Sequence, residues 1–264
     1  MSGKWYTPAG KSYNFHMDLL QQKHLMIAGA TGSGKSVVVN GIMYNALYSA
    51  PVDAANGKQF ILIDPKRVEL CIYKRLPHVL RYASEPEEMI QALQYAMALT
   101  EARYKAMQRD GLRLYDGSDI YIIIDEFADL MTTQPKRVKP LIQRLAQIGR
   151  AARMHIILCT QCPLAKVIPT EIKVNFDSVL ALHTATAQHS RNIISVAGCE
   201  ELPPYGEGYY QRPGKALAHV SEIPLFDDAT LQERVSWWTD QTRPSVSFLR
   251  RIWPKQEYKI NLTL

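Results

Sequence analysis

A chain of 264 residues with 47% apolar and 21% charged side chains is long enough to bury one large α/β core and too apolar to be disordered throughout. Lysine and arginine exceed aspartate and glutamate by 31 − 25 = 6, an excess that selects no partner by itself. Four cysteines without a framework spacing exclude a disulfide-stapled secreted domain, and no apolar run approaches the ~20 residues that span a bilayer, which predicts a soluble, cytoplasmic protein.

The first strong signal is His24–Ala28 (HLMIA), read as a buried strand. Gly29–Ser36 follows as GATGSGKS, satisfying G-x-x-x-x-G-K-S/T, and Val37–Leu47 is helix-forming. Strand, glycine-rich turn and helix is the context in which this motif cradles phosphates: glycines let backbone N–H groups approach an anion, and the helix N-terminus adds a positive dipole end. The predicted nucleotide-binding residues are Gly29, Ala30, Thr31, Gly32, Ser33, Gly34, Lys35, Ser36 and Val37. Lys35 is expected to reach the β- and γ-phosphates, and Ser36 to place its hydroxyl on Mg2+.

Gln59–Asp64 is a second apolar run that ends in an acid. Glu85–Arg109 reads as a long helix, with Ser84 as N-cap, Glu87 three residues later and Pro86 at its first position. A turn-rich break at 111–118 leads to the strand Ile120–Asp125. Tyr121–Leu130 (YIIIDEFADL) supplies the acids that a phosphate loop needs: Asp125 to hold Mg2+ through its water shell, and Glu126 to orient and polarise the attacking water. Leu141–Ala152 is a second amphipathic helix with Pro140 near its start, followed by the strand Met154–Thr160. Gln161, next after that strand, either senses the γ-phosphate or caps a loop. Cys159 and Cys162 form a C-x-x-C with no second pair nearby, a poor zinc site.

Between Asp129 and Glu171 there is no acid, while Lys136, Arg137, Lys139, Arg144, Arg150, Arg153 and Lys166 all fall there. Such a block suits a polyanion, or else a solvated helix face with inter-subunit pairs. A strand at Val179–Thr184, a helix at Gln188–Val196 and a hairpin of Gly208–Gln211 with Ala216–Val220 complete the pattern. Asp227 is placed to cap a further helix running to about Trp238. Near-continuous apolar strands alternating with helices predict a mainly parallel sheet flanked by helices, with a closing β-hairpin. Residues 1–224 are read as the nucleotide-binding domain and 225–264 as a C-terminal extension. The N-K-x-D signature of guanine specificity is lacking, so ATP is the expected nucleotide.

GATGSGKSVVVNGI, ILIDPKRVEL, YIIIDEFADLM, RLAQIGRAARMHIILCTQ and TATAQHSRNI together resemble the motor domain of FtsK/SpoIIIE-type DNA translocases, P-loop ATPases of the FtsK/HerA clade. The resemblance runs from about Leu25 to Ile223 and implies a RecA-like fold, a hexameric homo-oligomeric ring and ATP-driven movement of double-stranded DNA through its pore. It implies catalytic roles for Lys35, Glu126 and Gln161, and makes Arg191 a candidate that reaches a neighbour's γ-phosphate, with Arg144 and Arg150 as rivals. Asp64, Lys66 and Arg67 match the family's second block, as a structural network or as direct chemistry. Lys166 and Lys173, in the loop after Gln161, are either pore contacts to DNA phosphates or the solubilising charges of an edge loop. Cys162, and the region of Val179, depart from the family where arginine is usual. The family's N-terminal membrane region and C-terminal winged-helix module are expected to be absent, as in compact copies on mobile elements or in an excised fragment. The alternatives are a conjugative coupling or DNA-packaging ATPase of the same clade, and a nucleotide-binding interaction module with little turnover.

Overall fold

The computed structural model describes residues 5–6, 12–13, 24–49, 57–161, 164, 167–176, 178–220, 223 and 228–241. Strands β1 (Trp5–Tyr6) and β2 (Ser12–Tyr13) form a small antiparallel pair outside the main sheet. Then follow β3 (His24–Ala28), α1 (Lys35–Ser49), β4 (Lys58–Ile63), β5 (Val79–Ala83), α2 (Pro86–Asp110) and β6 (Asp119–Ile124). The second half holds α3 (Phe127–Thr133), α4 (Pro135–Ile148), β7 (Met154–Thr160), α5 (Thr170–Lys173), β8 (Ser178–Ala181) and α6 (Ala187–Ile194), and then β9 (Gly208–Gln211), β10 (Ala218–Val220) and α7 (Asp228–Gln241).

The main sheet has the order β10-β9-β8-β3-β7-β6-β4-β5. From β8 to β5 every neighbour is parallel; β9 and β10 add antiparallel and close one edge as the expected hairpin. The central strands β3, β6, β7 and β8 are buried along their whole length because both sheet faces are covered there. Alternation divides their side chains: Met26, Ala28, Ile61, Ile63, Ile122 and Ile124 pack with α2 and α4, while Leu25, Ile27, Leu62, Tyr121 and Ile123 pack with α1 and α7. From α7, Leu231, Val235 and Trp238 enter that second layer.

Several boundaries differ from the sequence expectation. The N-cap of α2 is Glu85 rather than Ser84, and Pro86 holds the first helical position. The N–H groups of Ser84 and Glu85 both donate to Glu88 Oε2, while Glu87 pairs with Arg137. Helix α4 begins at Pro135, so Pro140 lies inside it. Pro140 is exposed, and water can bond the carbonyl that its missing N–H leaves free. Five elements escaped the pattern: the short strands β1 and β2, the one-turn helix α5, α3, seven residues that continue the acidic strand end, and β5, whose burial is too uneven to read as a core strand. Val179 is buried in β8 and packs into the α2 and α4 layer, a position that calls for an apolar residue. Asp227 and Cys162 lie outside the described residues.

Candidate functional site

Parallel strands present their C-terminal ends on one side of a sheet, and loops there converge. Because β3, β7 and β6 are adjacent, the loop after β3, Gln161 after β7 and Asp125-Glu126 after β6 meet at one place. The loop 29–34 hangs between neighbours: Gly29 N–H donates to Thr160 O at 3.3 Å and Ala30 N–H to His183 O at 2.8 Å. Gly32 and Gly34 hold φ of 77° and 94°, a left-handed backbone that opens the turn, and an added Cβ at either would meet nothing within 4 Å. Ser33 Oγ is buried there without a hydrogen-bond partner.

Lys35, 8% exposed at the start of α1, donates from Nζ to Gly29 O at 2.9 Å and Ala30 O at 2.7 Å. Burial lowers the pKa of this ammonium. Its cation is thus folded back on the loop's own carbonyls. An open amide turn, an orphaned hydroxyl and a cation held only by carbonyls fit a phosphate chain.

Glu126 caps α3 and is 3% exposed. Its Oε1 accepts from Gln161 N–H at 3.2 Å and Ala128 N–H at 3.4 Å, and its Oε2 accepts from Lys66 Nζ at 3.2 Å. The side-chain Oε1 of Gln161 in turn accepts from Thr31 Oγ1 at 2.7 Å. Thr31, Gln161, Glu126 and Lys66 therefore form one bonded chain across four adjacent strand ends, those of β3, β7, β6 and β4. Neither the Thr31–Gln161 link nor the Lys66–Glu126 pair was readable from spacing. The available signal was a lysine two residues beyond the acid that ends another buried strand.

Asp125 is buried, and its pKa is raised to about 7 by burial and by the carboxylates Glu69 and Asp64. Asp64 is fully buried; its Oδ2 accepts from Leu70 N–H at 3.1 Å and from the Tyr82 hydroxyl at 3.2 Å, while Oδ1 has no partner. Burial, with the Asp64 charge adding, pushes the Tyr82 phenol up to about 12. Buried carboxylate oxygens short of a cation suit a hard divalent ion such as Mg2+. Among the described residues no group of three or more His, Cys, Asp or Glu is set to hold a metal alone, so Ser36 and Asp125 would share the ion with phosphate oxygens and water.

Of the remaining expected residues, those that the structure describes make no hydrogen bond or ion pair to this cluster. Arg191 is exposed on α6. There it assists the Gly198 N–H, the larger influence, in holding the Glu200 carboxyl low. Arg144 and Arg150 are exposed at α4 and just beyond it. Lys173 is half-buried and donates to Asn192 O at 2.7 Å. Lys166 lies outside the described residues. Among the described residues no helix is long and apolar enough to cross a membrane.

The sequence profile of the FtsK/SpoIIIE family matches residues 8–120 and 116–165. The DNA translocase FtsK of Shewanella oneidensis is 34% identical over 86% of this chain, a match covering 29% of the relative. The DNA translocase FtsK 1 of Neisseria meningitidis serogroup A is 36% identical over 75% of this chain and 28% of its own length. The chain thus spans about three tenths of the curated relatives that it matches. Among solved structures, the pCW3 conjugation coupling protein TcpA, a monomer form with ATPγS, superposes with a TM-score of 0.73 at 20% identity, over 90% of this chain and 71% of that one. The cytoplasmic domain of the type VII secretion ATPase EccC of Thermomonospora curvata gives 0.71 at 20% identity, over 89% and 30%. These likenesses establish the P-loop ATPase fold.

Proposed function

The chain belongs to the FtsK/SpoIIIE family, and from that premise we propose that it is an ATP-hydrolysing motor that moves double-stranded DNA through a ring of its own copies, six in number, in the cytoplasm. One observation carries the reading: the bonded chain from Thr31 through Gln161 to Glu126, which ties the phosphate loop to the acidic strand end. A nucleotide-binding module without turnover has no need of that connection.

The residues divide the work of binding, hydrolysis and transmission. Lys35 leaves the Gly29 and Ala30 carbonyls to bind the β- and γ-phosphates. Ser36 and Asp125 would hold Mg2+, which would supply charge neutralisation at the phosphate oxygens. Glu126 accepts the proton of the attacking water. Gln161 touches both Glu126 and Thr31, so a change at the γ-position reaches the β7 end through one residue. Arg191 acts on a neighbouring subunit's site; its exposure on α6 supports a role outside its own chain, and Arg144 and Arg150 share that exposure. Lys166 and Lys173 grip DNA phosphates without reading bases, and Lys173 must leave Asn192 O to do so.

The test is ATP turnover with and without linear duplex DNA, together with displacement of a triplex-forming strand. Several-fold stimulation and strand displacement, both lost in Glu126→Gln, are the expected result. A rate that ignores DNA and an undisturbed triplex would overturn the motor reading in favour of an interaction module.

A further inference from the structure

The loop after β4 delivers a cation to the site, and its construction is unusual. Asp64 anchors it at the base by accepting from Leu70 N–H and the Tyr82 hydroxyl. Arg67 holds φ at 60°, a left-handed conformation that non-glycine residues rarely adopt. The Arg67 guanidinium pairs with Glu85 at 2.6 Å, at the head of α2. Between these fastenings sits Lys66, with Nζ 3.2 Å from Glu126 Oε2.

That contact engages the second oxygen of the carboxylate. Oε1 is already committed to the N–H groups of Gln161 and Ala128. A general base must present a lone pair to the proton that it takes, within hydrogen-bond reach. With Lys66 in place both oxygens of Glu126 are engaged, and an incoming water must compete with the ammonium for Oε2. Glu126 itself is 4% exposed at its side chain, whereas Lys66 is 39% exposed and has solvent to move into. The movable partner is therefore the lysine.

We infer that Lys66 is a positioning residue that restrains Glu126, and that turnover requires the ammonium to leave Oε2. The inference rests on Glu126 being the water-activating group. The second block of the sequence thereby acquires a role, since Asp64, Arg67 and Tyr82 hold the restraint in register, and the tie from Arg67 to Glu85 links it to α2. Anything that shifts α2 or β5, including a neighbouring subunit, then acts on the base through Lys66.

The experiment compares wild type, Lys66→Met, Lys66→Gln and Lys66→Arg in full-length chain without DNA, with Glu126→Gln alongside. Lys66→Met is expected to raise basal kcat about fivefold while KM for ATP stays within about twofold, because an interaction that restrains only the base is absent from substrate binding. The ratio of DNA-stimulated to basal turnover falls by the same factor. Lys66→Arg, which keeps a cation on Oε2, stays at the wild-type basal rate. Lys66→Gln follows Lys66→Met and serves if the methionine variant fails to fold. If Glu126→Gln abolishes turnover but both neutral variants leave basal kcat unchanged or lower it, the restraint is refuted while Glu126 keeps its role. If Glu126→Gln turns over normally, the assignment of the base is what fails.

Discussion

The two ends of the same parallel sheet treat charge in opposite ways. Where the strands begin, ionisable groups are matched within the chain. Asp119 at the start of β6 lies 2.9 Å from His155 Nε2 and 3.5 Å from an Arg153 guanidinium nitrogen. His24 is held between Ala146 O and Ile156 N–H, and Arg103 donates to the carbonyls of Ala152 and Arg153. Where the strands finish, Asp64, Glu69 and Asp125 gather, one Asp64 oxygen is left bare, and the Asp125 carboxyl is driven to about 7. The first end is built to be stable as it stands. The second carries charge that the fold does not neutralise, which is the mark of a place completed by a ligand.

The sharpest way to break this contrast is Glu126→Gln. Removal of a positioned general base costs roughly 100-fold or more in turnover, and ATP binding measured by fluorescent-analogue titration should survive. At the opposite end, Asp119→Ala leaves His155 and Arg153 without their shared carboxylate. Stability should drop by about 3 kcal/mol, a Tm fall of roughly 6–10 °C by calorimetry, with KM for ATP unchanged. Should the KM move as well, the two ends are not independent.

His78 is the exception at the starting end, and it sharpens the rule. It is buried against Trp238 of α7, and neither ring nitrogen has a partner. Burial lowers its pKa from 6.5 to about 4. The unfolded chain then takes up a proton before the folded one, so the stability present above pH 6.5 is progressively lost as pH falls toward 4. The full loss is on the order of 3 kcal/mol. A denaturant series over this window should show the decline in wild type and a shallower one in His78→Phe. The smallest effect is expected from Arg137→Ala. Its pair with Glu87 joins two exposed side chains, and the variant should melt at the wild-type temperature.

Much of the nucleotide side was legible in the chain because its signals are local. The phosphate loop needs glycines at particular turns, and a buried parallel strand must be apolar on both faces. Accordingly β3, β7 and β9 run over the residues expected. Errors fell where two local rules competed. Ser84 offered a cap, but Pro86 fixes the first helical residue and makes Glu85 the cap. Pro140 suggested a helix start, yet an exposed missing N–H is cheap enough for α4 to run through it.

The order of glycines, lysine, acids and apolar runs determined the fold class and the glycine-rich turn between β3 and α1, because each depends on backbone conformation or on burial of neighbouring residues. Only the tertiary structure decided which side chains from separate loops touch: Thr31 with Gln161, Gln161 with Glu126, and Glu126 with Lys66. Those contacts follow from strand order in the sheet, and strand order is set by long-range packing that no local pattern along the chain records.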